Sequence, residues 1–146
     1  MPGYRVIWFR VVRFPDYQVR LVVAIKNVKD LRVYQLALEL LEVVYQTVYK
    51  IPHLKLRTQL TKSAEAIAPL VSEGFSKRRN PKETTRFYEM AMAESDEVLT
   101  HLEEAVILSK TLRTIPRVKC EILLERYTTL SKQLNKLFSA WKKFSA

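Results

Sequence analysis

The stretch that decides the fold is NPKETTRFYEMAMAESDEVLTHLEEAVILSKTLR, residues 80–113. It opens with Asn80, Pro81 and Glu83 in the order of an N-cap, a first helical residue and a third helical residue. Apolar residues then recur at the spacing of one helix face: Phe87, Met90, Ala91, Val98, Leu102, Ala105 and Leu108. The stretch predicts a long amphipathic helix from Pro81 to about Arg113, which the sequence Thr114-Ile115-Pro116 ends.

Two helices are predicted before this one. The first begins after Asp30, a typical N-cap residue, and ends before Pro52. Its predicted apolar face comprises Leu31, Tyr34, Ala37, Leu38, Leu41, Val44, Tyr45 and Val48. The second runs from about Leu56 to Phe75, and its predicted face comprises Leu60, Ala64, Ala66, Ile67, Ala68, Leu70 and Val71. We expect a kink at Pro69, and Gly74 is placed for the helix end or for a close packing contact.

A fourth helix is predicted from about Pro116 to the end of the chain. Its apolar face comprises Ile122, Leu123, Tyr127, Leu130, Leu134, Leu137, Phe138 and Trp141. Four long amphipathic helices with short connectors pack as antiparallel neighbours. The predicted fold class is therefore all-α, an up-down-up-down four-helix bundle that occupies residues 29–146.

Residues 1–28 have a different pattern. Tyr4 to Phe14 and Tyr17 to Ile25 are rich in β-branched and aromatic residues, and Pro15-Asp16 is a turn signal between them. The segment is typical of a short basic hairpin, which is only marginally stable alone. Three interpretations are open: a nucleic-acid-binding arm, an edge that joins neighbouring subunits, or an extension without a folded role.

Composition narrows the functional classes. The chain has 146 residues, 48% of them hydrophobic, which is enough for one domain with a real core. Two glycines cannot build a Gly-rich phosphate loop, and one cysteine, Cys120, can form neither an internal disulfide nor a cysteine zinc site. The sequence also lacks an apolar run long enough to span a bilayer and a clean signal peptide. We therefore expect a cytoplasmic protein without a membrane span.

The charge balance points to an anionic partner. The sequence holds 25 basic and 15 acidic residues, a net charge of +10. Residues 1–28 hold five basic residues and one acidic residue, whereas residues 29–146 hold 20 basic and 14 acidic residues. The bundle itself therefore carries only +6, so the nucleic-acid signal depends on where its charges are concentrated.

Several short elements resemble a known family. Residues 29–35, KDLRVYQ, resemble the opening helix of the small four-helix bundle proteins encoded in intervening sequences of bacterial 23S rRNA genes. Residues 72–75, SEGF, with the basic residues 77–79 after them, are similar to the end of that family's second helix. Lys82-Glu83 followed by Arg86-Phe87 resembles the start of its third helix. The resemblance extends over about Lys29 to Phe144.

This resemblance implies a non-enzymatic function. The family is related to the accessory proteins of diversity-generating retroelements, which form positively charged homopentamers that bind RNA and a reverse transcriptase. It therefore implies a ring-like homo-oligomer, with a pentamer favoured, and a nucleic-acid-related role. The setting is either an rRNA intervening sequence or a retroelement.

The residues themselves offer no catalytic site. A di-iron bundle needs two Glu-x-x-His motifs, and the only histidines are His53 in a connector and His101. Neither histidine has an arginine four to six residues before it, as helical RNA-cleaving domains of the HEPN type do. We expect His101 to be an ordinary interior or boundary histidine, Cys120 to be a buried apolar residue, and neither metal nor cofactor to be bound.

The candidate site residues are basic. One group lies at the connector between the second and third helices: Lys77, Arg78, Arg79, Lys82 and Arg86. A second group lies on the fourth helix: Arg117, Lys119, Arg126, Lys132, Lys136, Lys142 and Lys143. Such side chains bind phosphates by charge-assisted hydrogen bonds, although a solvated turn or helix face explains them equally well. The middle of the third helix is acidic, which suggests either subunit pairing or another solvated face.

Two functional hypotheses follow from different classes. The first is a homo-oligomeric bundle that binds structured RNA through surface Lys and Arg. The alternative is a protein–protein scaffold or adaptor whose partner is a protein such as a reverse transcriptase.

Most aromatic residues, including Tyr34, Tyr45 and Trp141, are expected in the core or an interface and not in base stacking.

Overall fold

A computed structural model of the chain describes residues 25–145. These residues form a short 3-10 turn, Val28–Asp30, and four helices: α1 (Arg32–Val48), α2 (Leu54–Ser76), α3 (Pro81–Ser109) and α4 (Arg117–Lys142). No strand occurs among them. The hairpin or extension predicted for the start of the chain falls mostly on residues 1–24, which lie outside the described residues, and the domain boundary at residue 28 stays a prediction.

The helices form the expected bundle. Each helix packs against the next one along the chain, and α4 returns to pack against α1. Short connectors make every neighbouring pair antiparallel. The largest fully buried side chains include Trp141, Tyr88, Tyr127, Leu102 and Ile67. The predicted all-α four-helix class is therefore confirmed.

The start of α1 differs from the prediction. Asp30 was expected to be the N-cap, but its Oδ2 accepts hydrogen bonds from the backbone N–H groups of Lys26 (3.2 Å) and Asn27 (3.0 Å). The Asn27 side chain caps the 3-10 turn by accepting from the Lys29 N–H at 3.0 Å. Leu31 then occupies the N-cap position of α1 without a side-chain bond. Asp30 is thus the partner of a cap one turn earlier.

The connector between α2 and α3 is where the sequence placed it. Asn80 is the N-cap of α3 and Pro81 is its first residue, but the Asn80 side chain makes no capping hydrogen bond. Glu83 pairs instead with Arg86 at 3.6 Å. At its other end α3 stops at Ser109, four residues before the predicted Arg113. The N–H groups of Lys110 and Thr111 bond to carbonyls three residues back, as in a tightened last turn.

Some predicted core faces are rotated. Leu38 and Tyr45 on α1 are 43% and 47% exposed, and Met90 and Ile122 are 41% and 53% exposed. The core face of α1 includes the predicted Ala37, Val44 and Val48, and its other members are Val33, Leu40 and Thr47. Since α1 has apolar residues on most of its circumference, its neighbours decide which side is buried. The described α2 is continuous through Pro69, and the kink expected there stays a prediction.

Gly74 sets how closely α2 and α3 approach at their connector. A Cβ atom on Gly74 would lie 2.6 Å from Cε1 and 2.8 Å from Cδ1 of the buried Tyr88 ring. The buried Thr84 hydroxyl donates to the Gly74 carbonyl at 2.9 Å, which ties the first turn of α3 to the last turn of α2. The close packing contact predicted for Gly74 is confirmed, and it fixes the connector that carries the candidate basic residues.

Cys120, His53 and His101 are of the types most often found in catalytic or metal sites, and here each lies in the core, at its boundary or at a helix end. Cys120 is fully buried, and this burial raises the pKa of its thiol. His53 caps α2, because its Nδ1 accepts from the Leu56 N–H at 3.1 Å. His101 lies at the boundary of the core, where its Nδ1 is 3.5 Å from Glu104 Oε2. All three positions agree with the expectations from the sequence.

Candidate nucleic-acid interface

Antiparallel packing brings three basic segments to one end of the bundle. These are the approach to α1 (residues 25–32), the connector between α2 and α3 (residues 73–86) and the end of α4 (residues 136–145). We call them together the basic end. Its cations are Lys26, Lys29, Arg32, Lys77, Arg78, Arg79, Lys82, Arg86, Lys136, Lys142 and Lys143.

The basic end holds the whole positive excess of the described chain. It carries eleven basic and three acidic residues, a net charge of +8. The remaining described residues carry ten basic and eleven acidic residues, a net charge of −1. The bundle is therefore close to neutral along its body and strongly cationic at one end, which is the charge distribution of an electrostatic footprint for an anion.

Most of these cations are available to solvent. Lys26, Lys29, Arg32, Arg79, Lys82, Arg86, Lys136, Lys142 and Lys143 are all exposed. Within the described residues, ion pairs at this end join Lys77 to Glu73 at 3.7 Å and Arg86 to Glu83 at 3.6 Å. Two exposed pairs of this kind contribute little energy and leave most of the positive charge uncompensated.

Two residues of the predicted group, Lys77 and Arg78, are half-buried, and Arg78 is used by the fold. Its guanidinium carbon lies 4.1 Å from the centre of the Phe75 ring, and its Nη1 donates to the Phe75 carbonyl at 3.0 Å. The side chain is half-buried against the end of α2. Arg78 therefore closes a helix terminus, and its guanidinium is already engaged by the fold.

The predicted residues of α4 fall into two groups. Lys136, Lys142 and Lys143 lie at the basic end, and Lys142 lies over the Phe138 ring with its Nζ 5.5 Å from the ring centre. Arg117 and Lys119 lie at the opposite end, where Arg117 Nε pairs with Glu121 at 2.8 Å. The structure thus separates residues that the sequence grouped along a single helix.

The other two predicted residues of α4 lie along the body. Arg126 reaches across to α1, where its Nη2 is 3.4 Å from Glu39 Oε2, and Lys132 is exposed. The Arg126–Glu39 pair lies in an open groove of about 620 Å³ between α1 and α4. This groove is lined by both signs of charge: Asp30, Arg32, Gln35, Leu36, Glu39, Glu125, Arg126, Thr129 and Gln133. Such a mixed lining does not single out a polyanion.

The acidic middle of α3 partly serves the packing of the bundle. Asp96 Oδ1 accepts from the Ser131 hydroxyl of α4 at 3.2 Å. Glu97 Oε2 accepts from the Ser63 hydroxyl of α2 at 3.0 Å. These carboxylates therefore join α3 to both of its neighbours, although they are as exposed as Glu89 and Glu103.

Sequence reasoning missed four residues of the basic end: Lys26, Lys29, Arg32 and Phe144. The first three lie more than a hundred residues before Lys136 and Lys143 in the sequence, so no local cluster reveals them. The predicted topology could have found them, because the start of α1 and the end of α4 must share one end of an antiparallel bundle. Phe144 is 50% exposed at the same end.

The described residues also bear on two other kinds of site. Among residues 25–145, no group of three or more His, Cys, Asp or Glu side chains is placed to hold a metal ion. None of the helices in the same range is long and apolar enough to cross a bilayer.

Comparison with known proteins gives one family. The sequence model of the 23S rRNA-intervening sequence protein family matches residues 29–136. Searches of curated proteins and of solved structures each returned no significant match. The matched range runs from the 3-10 turn to the second half of α4 and so includes most of the bundle. The four-helix chain therefore belongs to the 23S rRNA-intervening sequence protein family.

Proposed function

We propose that this protein binds structured RNA through its basic end, without catalysing a reaction. The observation that carries the proposal is the segregation of charge, with +8 at the basic end and −1 over the rest of the described chain. Exposed Lys and Arg side chains would contact phosphates and release counterions, so binding would weaken sharply with salt. The basic end offers no array of base-reading side chains, and specificity would come from the shape of the RNA.

Interaction with helix dipoles explains some of the cations of the basic end without any RNA, but not all of them. Cations after the C-termini of α2 and α4 stabilise those helices by interaction with the helix dipole. That effect is limited to the last turn and accounts for Lys77 and Lys142. It does not account for Lys26, Lys29 or Lys82, which lie before or at helix N-termini, where a positive charge is unfavourable.

The test is the salt dependence of RNA binding by matched variants of the full chain. In the first variant, the exposed Lys82, Lys136 and Lys143 of the basic end are changed to Ala. In the control, three exposed lysines remote from it are changed to Ala: Lys55, Lys62 and Lys110. Both variants lose the same charge. We expect only the first to weaken binding, with a slope of log affinity against log salt about two to three smaller.

Equal weakening of RNA binding by the two triple variants would show that the net charge of the protein, and not a particular site, attracts the RNA. Absence of binding by the wild-type chain at low salt would refute the RNA function. In that case the alternative, a protein–protein adaptor, would be favoured. Retained binding by the variant of the basic end would place the RNA elsewhere on the bundle.

We further propose that the chain assembles into a ring-like homo-oligomer, with a pentamer expected, through the outer side of α1. Leu38, Tyr45 and Tyr49 lie on one face of α1 at spacings of seven and four residues and are 43%, 47% and 68% exposed. Tyr45 also donates to Glu65 Oε1 on α2 at 2.7 Å, so its ring is held against the surface. An exposed apolar stripe of this kind is typical of a protein interface.

Light scattering tests the assembly. A pentamer would have five times the chain mass of 17.1 kDa. Leu38→Glu should lower the measured mass, whereas Ile107→Glu, at a residue 65% exposed on α3, should leave it unchanged. A monomer at tens of micromolar wild-type protein would refute the ring. A loss of assembly with both variants would refute the choice of α1.

The partners in the cell follow from the setting of the coding sequence. We propose a cytoplasmic role in an rRNA-linked complex or as the accessory subunit of a reverse transcriptase. A coding sequence inside a 23S rRNA gene would support the first. A neighbouring reverse-transcriptase gene with template and variable repeats would support the second. The same α1 surface would serve a protein partner if the chain is an adaptor.

A further inference from the structure

Four phenylalanines lie at or beside the basic end, and three of them are covered by cations. The Phe75 ring lies under Arg78, with 4.1 Å from the ring centre to the guanidinium carbon. The Phe87 ring has Lys77 at 5.6 Å and Arg86 at 5.8 Å from its centre. The Phe138 ring has Lys142 at 5.5 Å. These rings are buried or half-buried and take part in packing.

Phe144 is different. Half of its surface is exposed, and within residues 25–145 no Lys or Arg lies over its ring. A bare aromatic ring among uncompensated lysines is neither a core residue nor part of the apolar stripe on α1. Its ring face is therefore available to a ligand.

The backbone holds Phe144 in a defined turn. Its N–H donates to the Trp141 carbonyl at 3.0 Å, and Trp141 is fully buried. The next residue, Ser145, donates to the Lys142 carbonyl through both its N–H (3.2 Å) and its hydroxyl (2.8 Å). The turn is thus anchored in the core, and the ring is presented at a fixed place beyond the end of α4.

The register of the bundle puts this turn at about the level of the start of α3. The Ser131 and Ser95 hydroxyls are 2.7 Å apart and mark one level of the α3–α4 pair. The two helices are antiparallel, so a step forward on α4 matches a step back on α3. Thirteen residues after Ser131 is Phe144, and thirteen residues before Ser95 is Lys82. Lys142 and Lys143 precede the ring in sequence. A base on the ring would therefore have cations on two elements for its neighbouring phosphates.

We infer that Phe144 stacks against an unpaired base, so that the basic end takes single-stranded or looped-out nucleotides of an RNA. The inference rests on the proposed RNA function and names its substrate class. A duplex keeps its bases stacked inside and offers mainly phosphates and ribose hydroxyls, which lysines bind without a ring. An unpaired nucleotide offers a flat face to an aromatic side chain together with its phosphates.

The experiment compares two labelled RNAs of about 12 nucleotides or base pairs, oligouridine and an RNA duplex, by fluorescence anisotropy on the full chain. Phe144→Leu keeps an apolar side chain and removes the ring, whereas Phe144→Tyr keeps the ring. We expect the Leu variant to bind oligouridine about fivefold or more weakly, and the Tyr variant to stay within about twofold of wild type. Duplex affinity should not change.

Two further readouts separate stacking from charge. Phe144→Leu should leave the salt slope unchanged, because no cation is removed. Val118→Ala truncates an apolar side chain that is 68% exposed at the opposite end of the bundle and outside the stripe on α1, and it should leave binding of both RNAs unchanged. A loss with Val118→Ala as large as that with Phe144→Leu would overturn the assignment to Phe144.

The outcomes distinguish this inference from the function on which it rests. If the wild-type chain binds both RNAs and Phe144→Leu weakens neither, or weakens both equally, the stacking is refuted and the RNA function stands. If Phe144→Tyr loses as much affinity as Phe144→Leu, the ring is not a stacking surface. If the wild-type chain binds neither RNA, both proposals fail.

Discussion

Gly74→Ala is the substitution for which the structure makes the sharpest prediction. In an ordinary helix interior, Ala is about 1 kcal/mol better than Gly, so propensity alone predicts a more stable protein. In this bundle the new Cβ would lie 2.6 Å and 2.8 Å from two atoms of the Tyr88 ring and 3.2 Å from Phe87 Cβ. The Tyr88 ring is rigid and fully buried, so it cannot turn aside into solvent.

The two effects can be weighed. Overpacking a core costs about 1–3 kcal/mol, and two contacts below 3.0 Å belong in the upper half of that range. After the gain in propensity, Gly74→Ala should lower the free energy of unfolding by about 1–2 kcal/mol. For a chain of this size the melting temperature should fall by roughly 3–8 °C. Circular dichroism during urea and thermal unfolding measures both quantities.

Two companion variants make this reasoning refutable. Ala66→Gly, at a half-buried position of the same helix, should cost about 1 kcal/mol and measures the propensity difference without the clash. In a double-mutant cycle, Gly74→Ala should cost less in a Tyr88→Leu background than in the wild type, by about 1–2 kcal/mol. A Gly74→Ala protein as stable as the wild type, or a cycle without coupling, would show that α2 and α3 need not approach so closely.

Three further variants test other contacts. Thr84→Val removes the hydroxyl that joins α3 to α2 and should lower the free energy of unfolding in urea by about 1 kcal/mol. Thr85→Val, whose hydroxyl bonds within α3, should lower it clearly less, and equal losses would contradict the role of this link. Burial raises the pKa of the Tyr127 hydroxyl, so its contribution to stability is present below the unfolded value near 10.0 and is lost as the pH rises above it. Tyr127→Phe should therefore flatten the fall in the free energy of unfolding at alkaline pH, and an unchanged slope would contradict this. Arg78→Ala should lower the melting temperature while Lys82→Ala does not, and equal melting temperatures would show that the contacts of Arg78 are unimportant.

The sequence predicts the helices well because their signals are local. Pro81 and the apolar period after it place α3, and Pro52 and Pro116 bound the connectors. The ends are less predictable because several residues compete for each cap. Asp30 has the chemistry of an N-cap, but Asn27 lies one turn earlier and forms the cap with Asp30 as its partner.

The buried face of α1 could not be read from its period. Leu36, Leu38, Leu40 and Leu41 point in several directions around one helix, so more than one apolar face can be drawn. The packing of α2 and α4 buries Leu40 and leaves Leu38 exposed. The choice is made by tertiary contacts, which also leave the stripe on α1 that we assign to assembly.

The candidate site was only partly visible for a related reason. The cluster after α2 is contiguous in sequence and was found directly, whereas the cations before α1 and after α4 join it only through the topology. Arg78 shows the opposite case, a residue that the sequence predicts in the site but that the fold already uses. Its side chain is of a type that binds phosphate, but its guanidinium is stacked on Phe75. Residue type and spacing identify a cation, and only side-chain geometry shows whether the fold already uses it.

The separation of charge from apolar surface makes the two proposals, assembly and RNA binding, compatible in one small bundle. The stripe on α1 runs along a body whose net charge is −1, so copies packed side by side there would not repel strongly. If their basic ends face the same way, each copy adds +8 to one rim, and a phosphate chain that crosses the rim neutralises that repulsion. Assembly and RNA binding would then favour each other, because the rim attracts phosphates more strongly than one copy does and the bound phosphates lower the repulsion between copies.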